Sequence, residues 1–264
     1  MKEFQKITRY GRSLGMEIIA DVSPAVFEGL NLSYDDLKFF EQIGLSGIRL
    51  DLGFSGMEES IMTFNPYGLK IELNMSSGTK YLDNILTYHP NKDNIIGSHN
   101  FYPHRYTGLS REHFIKCSRQ FKDYGIRTAA FVSSREATFG PWHLNEGLCT
   151  LEEHRSLPIE VQAKDLFHTG LIDDVIIANA FASEEELRIL SELNKEMLTL
   201  SVELTEGISG AERKIVLEEV HFNRGDVSAY MIRSTQSRAK YGKHYFEAAH
   251  TKPIRRGDIL IESS

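Results

Sequence analysis

The sequence predicts an α/β fold of the (β/α)8-barrel type, in which parallel strands alternate with helices. Short apolar segments alternate with amphipathic segments over residues 1–205 of the 264-residue chain, which is the pattern of repeated βαβ units. No glycine-rich dinucleotide-binding fingerprint follows the first strand, and this disfavours a doubly wound sheet. A change of pattern after residue 205 indicates a second, smaller β module.

Seven apolar segments have the length and composition of buried strands. They are residues 16–22, 47–52, 69–75, 94–98, 127–132, 173–178 and 198–204. A helix-like segment with Phe4, Ile7, Tyr10 or Gly11, and Leu14 leads into the first of them, and no strand precedes this helix. We therefore expect a barrel that lacks its first strands.

The segments between the strands carry signals for helix ends. Ser33 and Ser183 open capping-box patterns, and Ser110 and Thr150 are predicted N-caps. Glycines at three positions are placed to end helices in the left-handed conformation: Gly44, Gly125 and Gly170. In the helix after Ser110, the spacing of Phe114, Cys117 or Ser118, and Phe121 predicts a stripe that faces the core.

The second module begins after a polar, glycine-containing linker at residues 205–213. Four segments separated by turn signals are predicted strands: residues 214–222, 227–234, 240–246 and 254–262. The predicted domains are therefore 1–205, a barrel truncated at its N-terminal side, and 213–264, a partial β domain. About 50 residues is small for an independent β domain, so we expect this module to be incomplete.

Composition and charge narrow the class of protein. The net charge of −7 and the pI near 5.8 argue against nucleic acid or an anionic membrane as the main partner. Two cysteines, Cys117 and Cys149, cannot build a disulfide framework, and no apolar run approaches the roughly 18 residues of a membrane span. The opening residues lack the apolar segment of a secretory signal. These features predict a cytoplasmic location and leave the oligomeric state open.

Polar residues end most of the predicted strands, and in a barrel such ends gather at one mouth. They are Asp21, Asp51, Asn74, His99 with Asn100, and Asn179. Asp21 and Asp51 taken singly could instead cap the helices that follow them. Two carboxyl groups that face one cavity suit glycoside hydrolysis, in which one acts as an acid and the other as a nucleophile or base.

Two loops add candidate binding groups. The segment after His99 is rich in aromatic and hydrogen-bonding side chains, where Tyr102 or Tyr106 could stack on a sugar and Arg105 could hold a phosphate or carboxylate. The long loop 133–149 contains Glu146 and is either a binding segment or an insertion. His99 and His104 lack a third ligand, so neither a metal nor another cofactor is predicted.

Arginines are concentrated in the second module. Arg224, Arg233 and Arg238 lie within about fifteen residues of an acidic chain, and they predict either an anion site or solvated strand ends. Glu72 lies deeper in its strand, and an inward orientation would require a partner such as Lys70 or Arg49.

Several motifs, in this order, resemble those of one family. They include Ala-Asp-Val-Ser-Pro (20–24), Gly-Ile-Arg-Leu-Asp-Leu-Gly-Phe (47–54), Ile-Glu-Leu-Asn-Met-Ser (71–76), His-Asn-Phe-Tyr-Pro (99–103), Gly-Leu-Cys-Thr-Leu-Glu (147–152) and His-Phe-Asn-Arg-Gly-Asp (221–226). The chain resembles the bacterial 6-phospho-N-acetylmuramidases along essentially its whole length. The resemblance implies a TIM barrel followed by a small cyclophilin-like β-barrel, with this chain containing six of eight barrel strands and part of the second domain.

The resemblance also implies an activity. Members hydrolyse 6-phosphorylated N-acetylmuramyl glycosides in the cytoplasm, chiefly the disaccharide with N-acetylglucosamine, during cell-wall recycling. Matching positions place Asp21, Asp51, Asn74, His99 and Asn100 in the pocket, and the catalytic assignment to the two aspartates is our own. Two alternatives stay open: a non-catalytic sugar-phosphate binding protein, and a sugar-phosphate isomerase or aldolase, for which no strand-end lysine or metal set is visible.

Overall fold

The computed structural model describes residues 2–144, 146–249 and 251–262. The chain divides into two compact units, Met1–Thr199 and Leu200–Ser264. The first unit contains six strands and eight α-helices among its described residues. In chain order they are α1 (Lys2–Ser13), β1 (Ile19–Val22), α2 (Pro24–Gly29), α3 (Lys38–Gln42), β2 (Gly47–Leu50), α4 (Met57–Met62), β3 (Lys70–Asn74), α5 (Tyr81–Thr87), β4 (Ile95–Ser98), α6 (Arg111–Lys122), β5 (Arg127–Val132), α7 (Ile159–His168), β6 (Asp174–Ile177) and α8 (Glu184–Ser191).

The six strands form one parallel sheet in the order of the chain, β1 to β6. Arg127 at the start of β5 contacts Glu17, just before β1, with 2.7 Å between Nη1 and Oε2. In a flat sheet these strands would lie about 19 Å apart, four spacings of about 4.8 Å, so the sheet must curl. A curled parallel sheet in sequential order fits part of a TIM-like barrel and confirms the predicted α/β class.

The helix signals are confirmed at most positions. The Ser110 hydroxyl accepts a hydrogen bond from the His113 N–H at the start of α6, and Ser183 forms a complete capping box with Glu186 at α8. The three predicted terminal glycines, Gly44, Gly125 and Gly170, all have positive φ. Ser33 and Thr150 are not N-caps, since α3 begins only at Lys38 and the Thr150 hydroxyl donates to the Asn100 carbonyl.

The core lies between the sheet and its helices, in two clusters. One surrounds β1 to β4, with Ile48, Ile71 and Ile85 fully buried. The other joins α6 and α7 to β5 and includes Phe114 and Leu166. The predicted stripe of α6 is confirmed, because Phe114, Cys117, Ser118 and Phe121 are all buried. On the opposite face of the sheet, β1 to β3 carry the polar side chains of Asp21, Arg49 and Glu72 at matching register positions.

The second unit differs from its predicted strands. Its described residues contain two helices, α9 (Gly210–Glu218) and α10 (Ser237–Tyr241), and an isolated antiparallel bridge between Asn223 and Ser234. The predicted strand 214–222 is wrong, because a capping box of Ser209 and Glu212 starts a helix that runs to Glu218. The predicted strands 227–234, 240–246 and 254–262 are likewise absent as ladders, and 198–204 is irregular.

No helix among the described residues has both the length and the apolar character needed to cross a membrane.

Candidate active site

Three charged side chains face one another across the first three strands. Asp21 in β1, Arg49 in β2 and Glu72 in β3 occupy matching register positions, so their side chains project from the same face of the sheet. The Nε of Arg49 lies 3.2 Å from Asp21 Oδ1, and its Nη1 donates to Glu72 Oε1 at 2.8 Å. Arg49 therefore links two carboxyl groups on neighbouring strands.

Glu72 is the buried end of this row. Its side chain is 6% exposed, and Oε1 accepts hydrogen bonds from both Arg49 and the Ser98 hydroxyl at the end of β4. Burial raises the pKa of Glu72, while the Ser98 hydrogen bond and the charge of Arg49 oppose that rise. The sequence analysis required a charged partner for Glu72 if it faced inward, and Arg49 is that partner.

Asp51 follows the end of β2 and is exposed. Its Oδ1 accepts a hydrogen bond of 3.2 Å from the Nδ2 of Asn74, the last residue of β3. The Asn74 Oδ1 in turn accepts from the Ser76 N–H at 2.9 Å. Both amide atoms of Asn74 are thus engaged, and they orient one oxygen of Asp51.

The loop that follows Asp51 is held by a buried carboxylate. Glu59, at the start of α4, accepts from the backbone N–H groups of Phe54 and Gly56 and from the Tyr81 hydroxyl. A β-carbon at Gly53 would lie 1.8 Å from the Tyr81 hydroxyl oxygen, so any other residue there must displace Tyr81. These contacts fix the path of the chain immediately after Asp51.

Asp21 and Asp51 act on each other electrostatically. The carboxyl of Asp21 is partly dehydrated by the surrounding sheet, which raises its pKa, although its side chain is 74% exposed. Arg49 lowers this pKa and the charge of Asp51 raises it, and the net shift is upward. The two aspartates at neighbouring strand ends therefore differ in environment while sharing one electric field.

His99 is fully buried behind the strand ends rather than exposed in the pocket. Its Nδ1 lies 3.1 Å from the Ser76 hydroxyl and its Nε2 lies 2.9 Å from the Ser118 hydroxyl. Because Ser118 donates to the Phe114 carbonyl, it must accept from His99, which assigns the proton to Nε2. Burial lowers the pKa of His99 to about 3, with His113 and Arg49 adding to the effect.

Asn100 and Tyr102 lie on the segment that leaves β4. The Oδ1 of Asn100 accepts a hydrogen bond from Nη2 of Arg49, and its backbone N–H donates to the Ser76 hydroxyl at 2.8 Å. Tyr102 is half-buried; burial raises its pKa, and it lies within electrostatic reach of Arg49 and Asp51. Asn100 and Tyr102 thus belong to the same neighbourhood as the aspartates.

A buried arginine organises the two loops above this neighbourhood. Arg155 donates to the carbonyls of Tyr102 at 2.9 Å and Gly147 at 3.1 Å, and it pairs with Glu152 at 2.6 Å. Glu152 also accepts from the N–H groups of Tyr106 and Gly108, each at 2.8 Å. The Arg155 hydrogen bond lowers the pKa of Glu152 to about 2, so the carboxylate is ionised and both loops are tied to it.

Arg105 and Glu146, predicted separately, contact each other. Glu146 Oε2 accepts from the Arg105 N–H at 3.1 Å, and Oε1 lies 3.5 Å from the Arg105 Nε. The Arg105 side chain is 64% exposed, so most of its guanidinium faces solvent.

Asn179 lies just beyond β6 in a closed contact. Its Oδ1 accepts from the Ser134 N–H and its Nδ2 donates to the Ser134 carbonyl, both at 2.8 Å. The predicted role of Asn179 in binding stays a prediction, with its amide already engaged by the chain.

Two of the three arginines predicted to form an anion site in the second unit contact one carboxylate, and no such contact involves Arg238 among the described residues. Arg224 contacts Asp226 Oδ1 at 2.8 Å, and Arg233 contacts Oδ2 of the same residue at 3.1 Å. The Arg224 hydrogen bond lowers the pKa of Asp226 to about 2. Within this unit the residues form one compact charged cluster.

Sequence reasoning missed two organising residues, Ser76 as a bridge to His99 and Asn100 and Arg155 as the loop anchor, and it named Arg49 only as a possible partner of Glu72. A signal existed for Arg49, a charged residue in the apolar strand Gly-Ile-Arg-Leu. Among the described residues, no group of three or more His, Cys, Asp or Glu side chains is arranged to hold a metal ion. The side chains described above offer paired carboxyl groups with amide and arginine donors.

Comparison with known proteins places the chain in a family. A family model described as 6-phospho-N-acetylmuramidase, N-terminal, matches residues 1–192, and one described as 6-phospho-N-acetylmuramidase, C-terminal, matches residues 198–264. No curated protein matches the chain.

Two solved structures resemble it. An uncharacterised B. cereus protein is 53% identical with a TM-score of 0.86, over 95% of this chain and 70% of that protein. A conserved Enterococcus faecalis protein of unknown function is 24% identical with a TM-score of 0.62, over 70% of this chain and 52% of its own, and this likeness concerns the fold alone. The family matches confirm the resemblance drawn from the motifs: the chain belongs to the 6-phospho-N-acetylmuramidase family of glycoside hydrolases.

Proposed function

We propose that this chain hydrolyses glycosides of 6-phospho-N-acetylmuramic acid, chiefly the disaccharide with N-acetylglucosamine, in cell-wall recycling. The observation that carries the proposal is the electrostatically coupled pair Asp21 and Asp51 at the C-terminal ends of adjacent strands. Family membership supports the substrate class. We place the activity in the cytoplasm, because both cysteines are free and buried.

The two aspartates receive different roles from their surroundings. Asp21, whose pKa is raised, donates a proton to the glycosidic oxygen as the bond to the anomeric carbon breaks. Asp51 either attacks that carbon or removes a proton from the water that attacks it. The anomeric configuration of the first product distinguishes the two routes, since attack by Asp51 gives net retention and attack by water gives inversion.

Substrate binding is assigned to the polar groups around this pair and to the arginines. In the first unit we assign binding to Asn74, Asn100 and Tyr102 near the pair and to Arg105, Glu146 and Asn179 elsewhere in the unit, while the fully buried His99 supports Ser76 behind them. Arg105 is the strongest candidate for the phosphate, because its guanidinium is largely exposed and only loosely paired. Arg224 and Arg233 are the candidates in the second unit, where a bound anion would compete with Asp226.

The test is incubation of the chain with 6-phospho-N-acetylmuramyl-N-acetylglucosamine and detection of the two free sugars. Asp51→Asn and Asp21→Asn should lose cleavage and keep ligand binding, while Asp35→Asn, an exposed carboxylate outside the site, should cleave normally. Binding without turnover in the wild-type chain would instead support a non-catalytic sugar-phosphate binding protein. An isomerised or carbon–carbon cleaved product would support the isomerase or aldolase alternative.

The arginine assignments need a second comparison. Arg105→Ala should raise KM for the phosphorylated disaccharide and leave KM for the unphosphorylated one unchanged. Arg224→Ala and Arg233→Ala provide the same comparison for the second unit, and the variant with the selective effect identifies the phosphate contact.

For the second unit we propose the cyclophilin-like β domain implied by the family resemblance, with domain limits of 1–205 and 213–264. The support is the C-terminal family match over residues 198–264. Backbone chemical shifts of the chain in solution would test it, since a β domain requires strand shifts within residues 213–264.

A further inference from the structure

Arg49 supplies a fixed donor fork beneath the strand ends. Its three nitrogens reach three partners on different segments: Nε to Asp21, Nη1 to Glu72 and Nη2 to Asn100. Arg49 and Glu72 are both buried, so water does not compete for these contacts. A planar guanidinium with every nitrogen engaged has one orientation available to it.

This fork determines which way the amide of Asn100 points. Arginine has only donors, so the atom of Asn100 that faces Nη2 must be the carbonyl oxygen Oδ1. The NH2 group of the same amide is then directed away from Arg49. The identity of the two amide atoms, which often has to be chosen by their hydrogen bonds, is fixed here by its partner.

The backbone of Asn100 is held as firmly as its side chain. Its N–H donates to the Ser76 hydroxyl at 2.8 Å, and its carbonyl accepts from the Thr150 hydroxyl at 2.9 Å. In the part of the chain that the structure describes, Nδ2 is the polar group of Asn100 without a protein acceptor. Asn100 therefore presents a single oriented donor beside the aspartates.

The charges around this donor select the acceptor. The carboxyl groups of Asp21, Asp51 and Glu72 lie around the one guanidinium of Arg49, and Asp51 must be ionised to act as the nucleophile or base of the proposed reaction. A ligand carboxylate placed here would meet like charge, whereas a neutral carbonyl oxygen accepts the hydrogen bond without that repulsion.

We infer that Asn100 is a specificity-determining residue that donates through Nδ2 to the acetamido carbonyl oxygen of the muramyl sugar. This inference rests on the proposed function, because it takes its ligand from that substrate class. A site built to donate to one group discriminates strongly against an analogue that lacks the acceptor.

The test measures binding rather than turnover. Titration calorimetry would compare N-acetylmuramic acid 6-phosphate with its analogue carrying a 2-hydroxyl group in place of the acetamido group. We expect the wild-type chain to prefer the acetamido ligand by about 10-fold or more. Asn100→Asp keeps an oxygen for Arg49 and replaces the donor by an acceptor, so the preference should fall to about 1.

The carboxylate introduced by Asn100→Asp repels both phosphorylated ligands and weakens their binding alike. The ratio of the affinities for the acetamido ligand and its 2-hydroxyl analogue is therefore unaffected by this repulsion. A preserved preference in Asn100→Asp, with a melting temperature equal to that of the wild type, would overturn the inference and leave the proposed function standing. N-acetylglucosamine 6-phosphate keeps the acetamido group and lacks the lactyl group. If Asn100→Asp loses the preference for the ligand with the lactyl group and keeps the preference for the acetamido group, the inference is also overturned. Failure of the wild-type chain to bind any of these ligands would refute the proposed substrate class itself, and the inference with it.

Discussion

Acid should destabilise the first unit through one buried histidine, His99. The imidazole is neutral in the folded chain, because burial lowers its pKa to about 3 from an ordinary value of 6.5. Between these two pH values the unfolded chain takes up a proton that the folded chain does not bind. Folding stability must therefore fall as the pH falls through this window.

The size of the loss follows from the two pKa values. At pH 5 the unfolded imidazole is about 1.5 pH units below its pKa while the folded imidazole is still unprotonated. At about 1.4 kcal/mol for each unit, the loss between pH 7 and pH 5 is about 2 kcal/mol. That is a sizeable part of the 5–15 kcal/mol typical of a domain.

The measurement is urea unfolding at pH 7 and pH 5, followed by the fluorescence of Trp142, the single tryptophan of the chain. His99→Gln retains an acceptor and a donor for Ser76 and Ser118 but does not titrate. For each protein we compare the change in the free energy of unfolding between pH 7 and pH 5. Carboxyl groups titrate alike in the wild type and in His99→Gln, so their contribution cancels in the difference. His104→Gln, at an exposed position, is the matched control.

We expect the wild type and His104→Gln to lose about 2 kcal/mol more than His99→Gln between the two pH values. Equal losses in all three proteins would show that His99 is protonated in the folded state. The assigned tautomer and its two serine contacts would then be wrong.

Three further perturbations follow from the packing. Phe114→Ala should lower the free energy of unfolding by about 3–5 kcal/mol in urea titrations, because it empties a fully buried ring position against α7. Arg155→Met should release the loops tied through Tyr102 and Gly147, and hydrogen exchange should increase there while β1 to β3 stay protected. Gly53→Ala should weaken ligand binding, measured by calorimetry, because its β-carbon displaces Tyr81 and with it the loop after Asp51.

Each of these has a control. Tyr106→Ala, at an exposed side chain, should leave both stability and loop exchange unchanged. Gly29→Ala, where an added β-carbon would meet nothing within 4 Å, should leave binding unchanged. If Arg155→Met shows the same hydrogen-exchange rates in the two loops as the wild type, the positioning role assigned to Arg155 is wrong. If Gly53→Ala binds the ligand with undiminished affinity, the role assigned to Gly53 is wrong.

The barrel strands could be predicted because their signal is local. Each of the six is an apolar run between helix signals, and the parallel order follows from the alternation with helices. The second unit shows where such a signal fails. Ile215, Val216 and Leu217 have the composition of a strand, but the capping box at Ser209 and Glu212 starts a helix before them.

The meeting of polar residues at one edge of the sheet was predictable from geometry. The contacts from distant segments that hold these residues in place were not. Carboxyl ends of parallel strands meet at one edge, which brings Asp51 and Asn74 into contact. Side chains two residues apart in a strand point to the same face of the sheet. Arg49 therefore lies on the same face as Asp51, and Glu72 lies on the same face as Asn74. By contrast, the contacts of Ser118 with His99 and of Thr150 with Asn100 join distant segments, and no local pattern encodes them.

The position beneath the strand ends requires arginine for a physical reason. A lysine ammonium would neutralise part of the charge of Asp21 and Glu72, but as a point charge it would not fix the direction of its neighbours. The guanidinium of Arg49 assigns one nitrogen to each of its three partners, so the same group that compensates the buried carboxyl of Glu72 also orients Asn100. Charge compensation and amide orientation are therefore coupled in this site. A substitution of Arg49 or Glu72 must therefore alter the orientation of Asn100, even though neither of the two substituted side chains contacts a ligand.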